Sequence, residues 1–169
     1  MHDTQIRPPH LASRAPLQFQ TNPPRRILVV DDDPYLRHLT AEILLQQGYE
    51  VNAAEDGIVA WQALNDHRYD LMITDNQMPN LTGVALLKKL RLFGMVLPVI
   101  LASGTFPMQG AAANAWLEPD ATLRKPYTPE LLLRTVKKLL NATDHAREDL
   151  NPWSNGQRDT DADGLQPGW

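Results

Sequence analysis

Cysteine is absent from this 169-residue chain, which excludes disulfide bridges and thiolate zinc sites. No apolar run approaches the roughly 20 residues that a membrane-spanning helix needs. Residues 1–10 lack the apolar core of a signal peptide. A cytoplasmic location is the expectation that follows, with no membrane partner. An excess of basic residues is also missing. The formal net charge is −4, which argues against nucleic acid as a partner. The histidines, at positions 2, 10, 38, 67 and 145, show no metal-site spacing, and no internal repeat is visible.

What is present is unevenly distributed. Residues 1–24 hold Pro8, Pro9, Pro16, Pro23 and Pro24 without periodicity and read as a flexible lead-in. Residues 142–169 carry six acids against Arg147 and Arg158 and read as a flexible acidic tail. Residues 25–141 carry 13 acids and 12 bases, so this central unit is nearly neutral. Its acids are concentrated where they can act.

The central unit alternates strand and helix. The continuous apolar run at 27–30 suits a strand buried on both faces. Asp33-Pro34 then opens a helix, with Asp as N-cap and Pro at the first position. Leu36, Leu39, Ile43 and Leu44 mark one face of it, and Gly48 ends it. A short strand is expected at 50–54 and a helix at 57–65, with Val59, Ala60, Ala63 and Leu64 inward. A third strand spans 71–74 and a helix spans 82–93, its period set by Val84, Leu87, Leu90 and Arg91. The fourth strand is expected at 98–102, a weak Ala-rich helix at 108–116 and the fifth strand at 121–124. Thr128-Pro129-Glu130 opens the last helix, with Leu132, Val136, Leu139 and Leu140 as its stripe. Five strands alternating with five helices predict an α/β unit, a parallel sheet covered on both faces.

Chemistry-bearing residues fall at the strand ends. Asp31-Asp32-Asp33 follows the first strand, Asp75 ends the third, Ser103 follows the fourth and Lys125 follows the fifth. Each alone is ordinary: an acidic loop with an N-cap, a turn aspartate, a loop hydroxyl, a surface lysine. Together they lie on the carboxyl edge of a parallel sheet, where α/β proteins place ligand sites. Carboxylates crowded there repel one another, and a divalent cation offsets that repulsion. Oxygen ligands of this kind suit Mg2+, and a remaining carboxylate oxygen is suited to attack phosphorus.

Val29-Val30-Asp31-Asp32-Asp33, Asp75-Asn76-Gln77-Met78-Pro79 with Gly83, Ala102-Ser103-Gly104 and Lys125-Pro126-Tyr127 resemble the receiver domain of two-component response regulators. The resemblance covers residues 25–141, and four motifs in order at strand ends make it specific. It implies a doubly wound, flavodoxin-like (βα)5 fold with strand order 2-1-3-4-5. It implies Asp75 as phosphoacceptor and a Mg2+ site in which Asp32 ligates directly and Asp31 acts mostly through water. The backbone carbonyl of Gln77 would be a further ligand. It implies Ser103 as the switch hydroxyl, Lys125 as the phosphate-contacting lysine and a cis Lys125–Pro126 bond. One position departs from the pattern: three residues before the lysine, where many receivers carry an aromatic switch residue, stands Thr122.

The function implied is that of a signalling domain rather than an enzyme, with Mg2+-dependent self-phosphorylation and slow self-dephosphorylation at most. The phosphodonor would be a sensor histidine kinase or a histidine phosphotransfer protein, and the output would be altered affinity for a downstream protein. With Met1 at the start and no effector domain after residue 141, a complete single-domain regulator is expected. The alternatives are a receiver-like binding module that does not signal by phosphorylation, and a fragment of a hybrid kinase or transcription factor. An aspartate-nucleophile phosphatase would need a second acid where Gln77 stands.

Overall fold

A computed structural model describes residues 23–104 and 117–149. The chain runs β1 (Arg26–Val30), α1 (Pro34–Leu45), β2 (Glu50–Ala54), α2 (Gly57–Asp66), β3 (Leu71–Asp75), α3 (Gly83–Leu92), β4 (Val99–Ser103), β5 (Ala121–Arg124) and α4 (Pro129–Asp149). All strand pairs are parallel, in the order β2-β1-β3-β4-β5. This is the doubly wound, flavodoxin-like arrangement that the sequence leads one to expect. The expected helix at 108–116 lies outside the described residues.

The apolar run of β1 follows from its place between β2 and β3. Successive side chains point to opposite faces of a sheet. Leu28 and Val30 join Met72 of β3, Ala60 and Leu64 of α2, and Leu86, Leu87 and Leu90 of α3 in one core. Ile27 and Val29 join Leu71 and Ile73 of β3, Leu44 of α1, and Leu132, Val136 and Leu140 of α4 in the other. A strand between two cores has no polar face, so the alternation of a half-exposed strand is absent.

The helix ends follow local chemistry. Asp33 caps α1, accepting from the N–H groups of Tyr35 and Leu36 at 2.8 and 3.2 Å. Gly48, at φ +84, closes the turn that follows it. No helix among the described residues is long and apolar enough to cross a membrane.

Three details differ from the sequence reading. Val59 and Leu39 are exposed rather than inward. On α1 the fully turned-in residues are Thr40 and Leu44, and on α3 Leu86 joins the core. The helical period alone leaves the centre of an apolar arc uncertain by one residue, and the packing partner decides it. The last helix also passes the expected boundary at 141 and continues to Asp149. Residues 142–149 contain neither Gly nor Pro, so nothing local stops the helix there. Arg25 holds the extension from outside, pairing with both Asp70 and Asp144.

Leu87 and Leu132 are fully buried on opposite sides of the sheet. Leu87→Ala and Leu132→Ala are each expected to cost about 2–5 kcal/mol of unfolding free energy. Because the two sites share no partners, the double variant should show the sum within about 0.5 kcal/mol. Urea titration followed by circular dichroism measures both.

Candidate functional site

The carboxyl ends of β1, β3, β4 and β5 meet on one edge of the sheet. Asp31 leaves β1, Asp75 ends β3, Ser103 ends β4, and Lys125 leaves β5. Carboxylate oxygens of Asp31, Asp32 and Asp75 all lie within 4.8 Å of one another. Asp31 and Asp75 are buried and Asp32 is exposed.

Each buried carboxylate is held in the same way. Lys125 Nζ lies 2.7 Å from Asp31 Oδ2 and 3.1 Å from Asp75 Oδ1. The second oxygen of each accepts from the backbone two residues on. Asp33 N–H donates to Asp31 Oδ1 at 3.1 Å, and Gln77 N–H donates to Asp75 Oδ2 at 3.0 Å. Burial opposes the charge on Lys125. The hydrogen bonds and attraction of Asp31 and Asp75 outweigh it and raise the lysine above its ordinary value. Three carboxylates against one ammonium leave two negative charges at the site. That is the charge, and those are the oxygen donors, that suit a divalent cation such as Mg2+.

The remaining expected residues take their places around this pair. Ser103 is fully buried and follows Ala102, the register partner of Asp75. Its backbone carbonyl accepts from Lys125 N–H at 3.0 Å. Gln77 is exposed on the turn after β3. The Lys125–Pro126 bond is cis. Thr122 is exposed on β5, opposite Leu101. The segment 105–110, which follows Ser103 and Gly104, lies outside the described residues.

Gly83 is dictated by close approach. A Cβ there would stand 2.2 Å from the carbonyl oxygen of Asp75, so a side chain would push α3 off the end of β3. Asn76 completes the join: its side-chain oxygen accepts from Val84 N–H and its carbonyl from Gly83 N–H, both at 3.2 Å.

One contributor escaped the sequence reading. Arg37, in the first turn of α1, donates through Nη1 to the backbone carbonyls of Asp31 at 2.6 Å and, more weakly, Asp32 at 3.4 Å. The signal available was its place four residues after the N-cap Asp33, which returns a helical side chain toward the loop before the helix.

The family model "Response regulator receiver domain" matches residues 27–137. The sensor histidine kinase RcsC of Salmonella typhimurium is 34% identical over 138 residues, which cover 75% of this chain and 14% of the kinase. The response regulator MprA of a Mycobacterium species is 34% identical over 120 residues, 71% of this chain and 52% of MprA. The chain thus spans a small part of the kinase and about half of the regulator. Among solved structures, the response regulator TrrA of Thermotoga maritima in complex with Mg2+-BeF matches with a TM-score of 0.61 and 33% identity, covering 68% of this chain and 98% of that one. The chemotaxis protein CheY4 of Vibrio cholerae matches with a TM-score of 0.63 and 28% identity, covering 69% and 98%. Sequence, fold and the position of the acidic edge agree, and the chain belongs to the response regulator receiver domain family of two-component signalling.

Proposed function

We propose that Asp75 accepts a phosphoryl group, with Mg2+, from the phosphohistidine of a sensor kinase or a histidine phosphotransfer protein. The chain then signals in the cytoplasm through altered affinity for a protein partner. The observation that carries this reading is the setting of Asp75. Its carboxylate is buried at a strand end, within 4.8 Å of two further carboxylates and in contact with one lysine. Such crowding lacks a packing rationale and has a chemical one.

In the transfer, an Asp75 oxygen forms a bond to phosphorus as the phosphorus–nitrogen bond of the phosphoimidazole breaks. The bonding pair leaves with the imidazole, which takes a proton from solvent. Held by Asp31, Asp32, Asp75 and the Gln77 carbonyl, Mg2+ would offset charge on the transferring oxygens. The solution of the similar TrrA with Mg2+-BeF supports a cation at this edge. Lys125, already on Asp75 Oδ1, supplies positive charge where the phosphoryl oxygens arrive, and the Ser103 hydroxyl supplies a hydrogen bond. The acyl phosphate carries more charge than the carboxylate it replaces, and that difference is what a partner reads.

Incubation with a small phosphodonor and Mg2+ should add the mass of one phosphoryl group to the intact protein, and none to Asp75→Ala. An intact protein that stays unlabelled would favour the receiver-like binding module, for which Thr122 in place of an aromatic is the supporting feature.

Lys125 and a metal ion compensate the same carboxylates. Lys125→Met should therefore bind Mg2+ more tightly than the wild type by calorimetry, while taking up phosphoryl more slowly by at least about tenfold. The lysine also marks the alkaline limb of stability. A lysine whose folded pKa is raised contributes fully below its ordinary value, and the contribution is lost as pH rises through the raised one. Urea titrations between about pH 10 and 12 should show a loss in the wild type that Lys125→Met lacks.

A further inference from the structure

The corner between β2 and α2 carries no residue of the acidic site, yet it touches both halves of it. On one side, Asp31 N–H donates to the carbonyl of Ala54 at 3.2 Å. On the other, Asp56 reaches the turn that follows Asp75. Asp56 is buried and uses both of its oxygens. Oδ1 caps α2, accepting from the N–H groups of Ile58 and Val59 at 2.8 Å each. Oδ2 accepts from Asn80 Nδ2 at 2.7 Å, across 24 residues of sequence.

Capping alone explains neither the burial nor the second bond. Ser, Thr or Asn cap as well as Asp, on the surface and with one oxygen. Asn80 also needs a reason. Its φ of +65 is left-handed, a region that few residues with a Cβ enter and that asparagine enters most readily, so the residue type suits a turn held in one conformation. The contact beside it is equally tight: a Cβ on Gly57 would stand 2.5 Å from the carbonyl oxygen of Leu81. Between these contacts and Asp75 lie Met78, buried in the core with Ala54 and Ala60, and the exposed Gln77, whose N–H bonds Asp75 Oδ2.

We propose that Asp56 and Asn80 form a strap that positions the turn after Asp75, so that Gln77 is presented to the acidic site in one conformation. Asp56 is then a positioning residue: it ties the α2 end to the phosphoacceptor turn, and the same corner is bonded to the Asp31 loop. The importance of the turn rests on the reading of Asp75 as phosphoacceptor. The strap itself does not depend on that reading.

Two variants cut the strap from opposite ends. Asp56→Ser keeps an N-cap, and its hydroxyl is too short to reach Asn80 as well. Asn80→Gly keeps the left-handed backbone and removes the amide. Amide hydrogen exchange on the full chain without metal reads the turn, and calorimetry with Mg2+ alone reads the site. In each variant the amides of Gln77 and Gly83 should exchange at least about tenfold faster, with amides of β1 changed less than about twofold. Mg2+ should bind about tenfold more weakly, as when a partner behind a metal ligand is lost. The double variant should be no weaker than the worse single one, because both remove the same bond. Exchange at Gln77 within about twofold of wild type in Asn80→Gly would overturn the strap, as would losses that multiply in the double variant. If exchange accelerates as expected but the wild type binds no Mg2+, the strap stands and the phosphoacceptor reading fails.

Discussion

The ammonium of Lys125 sits between Asp31 and Asp75, 2.7 Å from one and 3.1 Å from the other. Two carboxylates buried at the ends of adjacent strands repel each other and resist leaving water. β1 and β3 are hydrogen-bonded neighbours at the centre of the sheet, so their ends cannot move apart without breaking the ladder. A charge of opposite sign has to be brought to them. It comes from the far edge strand, and β4 lies between, so the fold must be complete across four strands before the acids are compensated. Lys125 N–H on the Ser103 carbonyl continues that ladder by one residue.

The compensation is deliberately incomplete in its geometry. Lys125 takes one oxygen of each buried acid, and a backbone N–H takes the other. Arg37 donates to the main-chain carbonyls of Asp31 and Asp32. A second cation on the carboxylates would have left one net negative charge in place of two. Placed on the carbonyls, it shapes the loop and leaves Asp32 exposed. An acidic edge with one lysine keeps an unmet demand for positive charge, which is what a metal-binding site requires.

The parts legible in the sequence are those governed by local pattern. A continuous apolar run such as 27–30 announces a strand between two cores, and Asp33-Pro34 announces a helix start. The position of Asp31, Asp75 and Lys125 follows once strand ends are known, because parallel strands share one carboxyl edge. What escaped depends on contacts distant in sequence. Nothing local in the sequence ties Asp56 to Asn80, 24 residues on, and the pair forms only where their two turns meet. Averaged over residues 142–169, the composition reads as one acidic tail, which puts the boundary of the folded unit at 141. Within that average, residues 142–149 are Gly- and Pro-free and carry Asp144, which only the folded Arg25 can find. Leu39 on α1 faces out and Leu86 on α3 faces in for a similar reason: the period locates an arc, and the neighbouring sheet selects its centre.

The surroundings of Lys125 are unequal on its two sides. Two residues beyond it, across the cis proline bond, the Tyr127 hydroxyl lies 3.4 Å from Thr40 Oγ1 on α1. Leu36, Leu39, Ile43, Pro126, Tyr127 and Pro129 line a shared groove of about 720 Å³ on that side. Three residues before the lysine, Thr122 is exposed and offers no large side chain to move. Among the described residues, the Tyr127 side of the lysine is packed against another element through a ring and a hydroxyl. The asymmetry is a property of residue size and burial around one charge, with a threonine three residues before Lys125 and a tyrosine two residues after it.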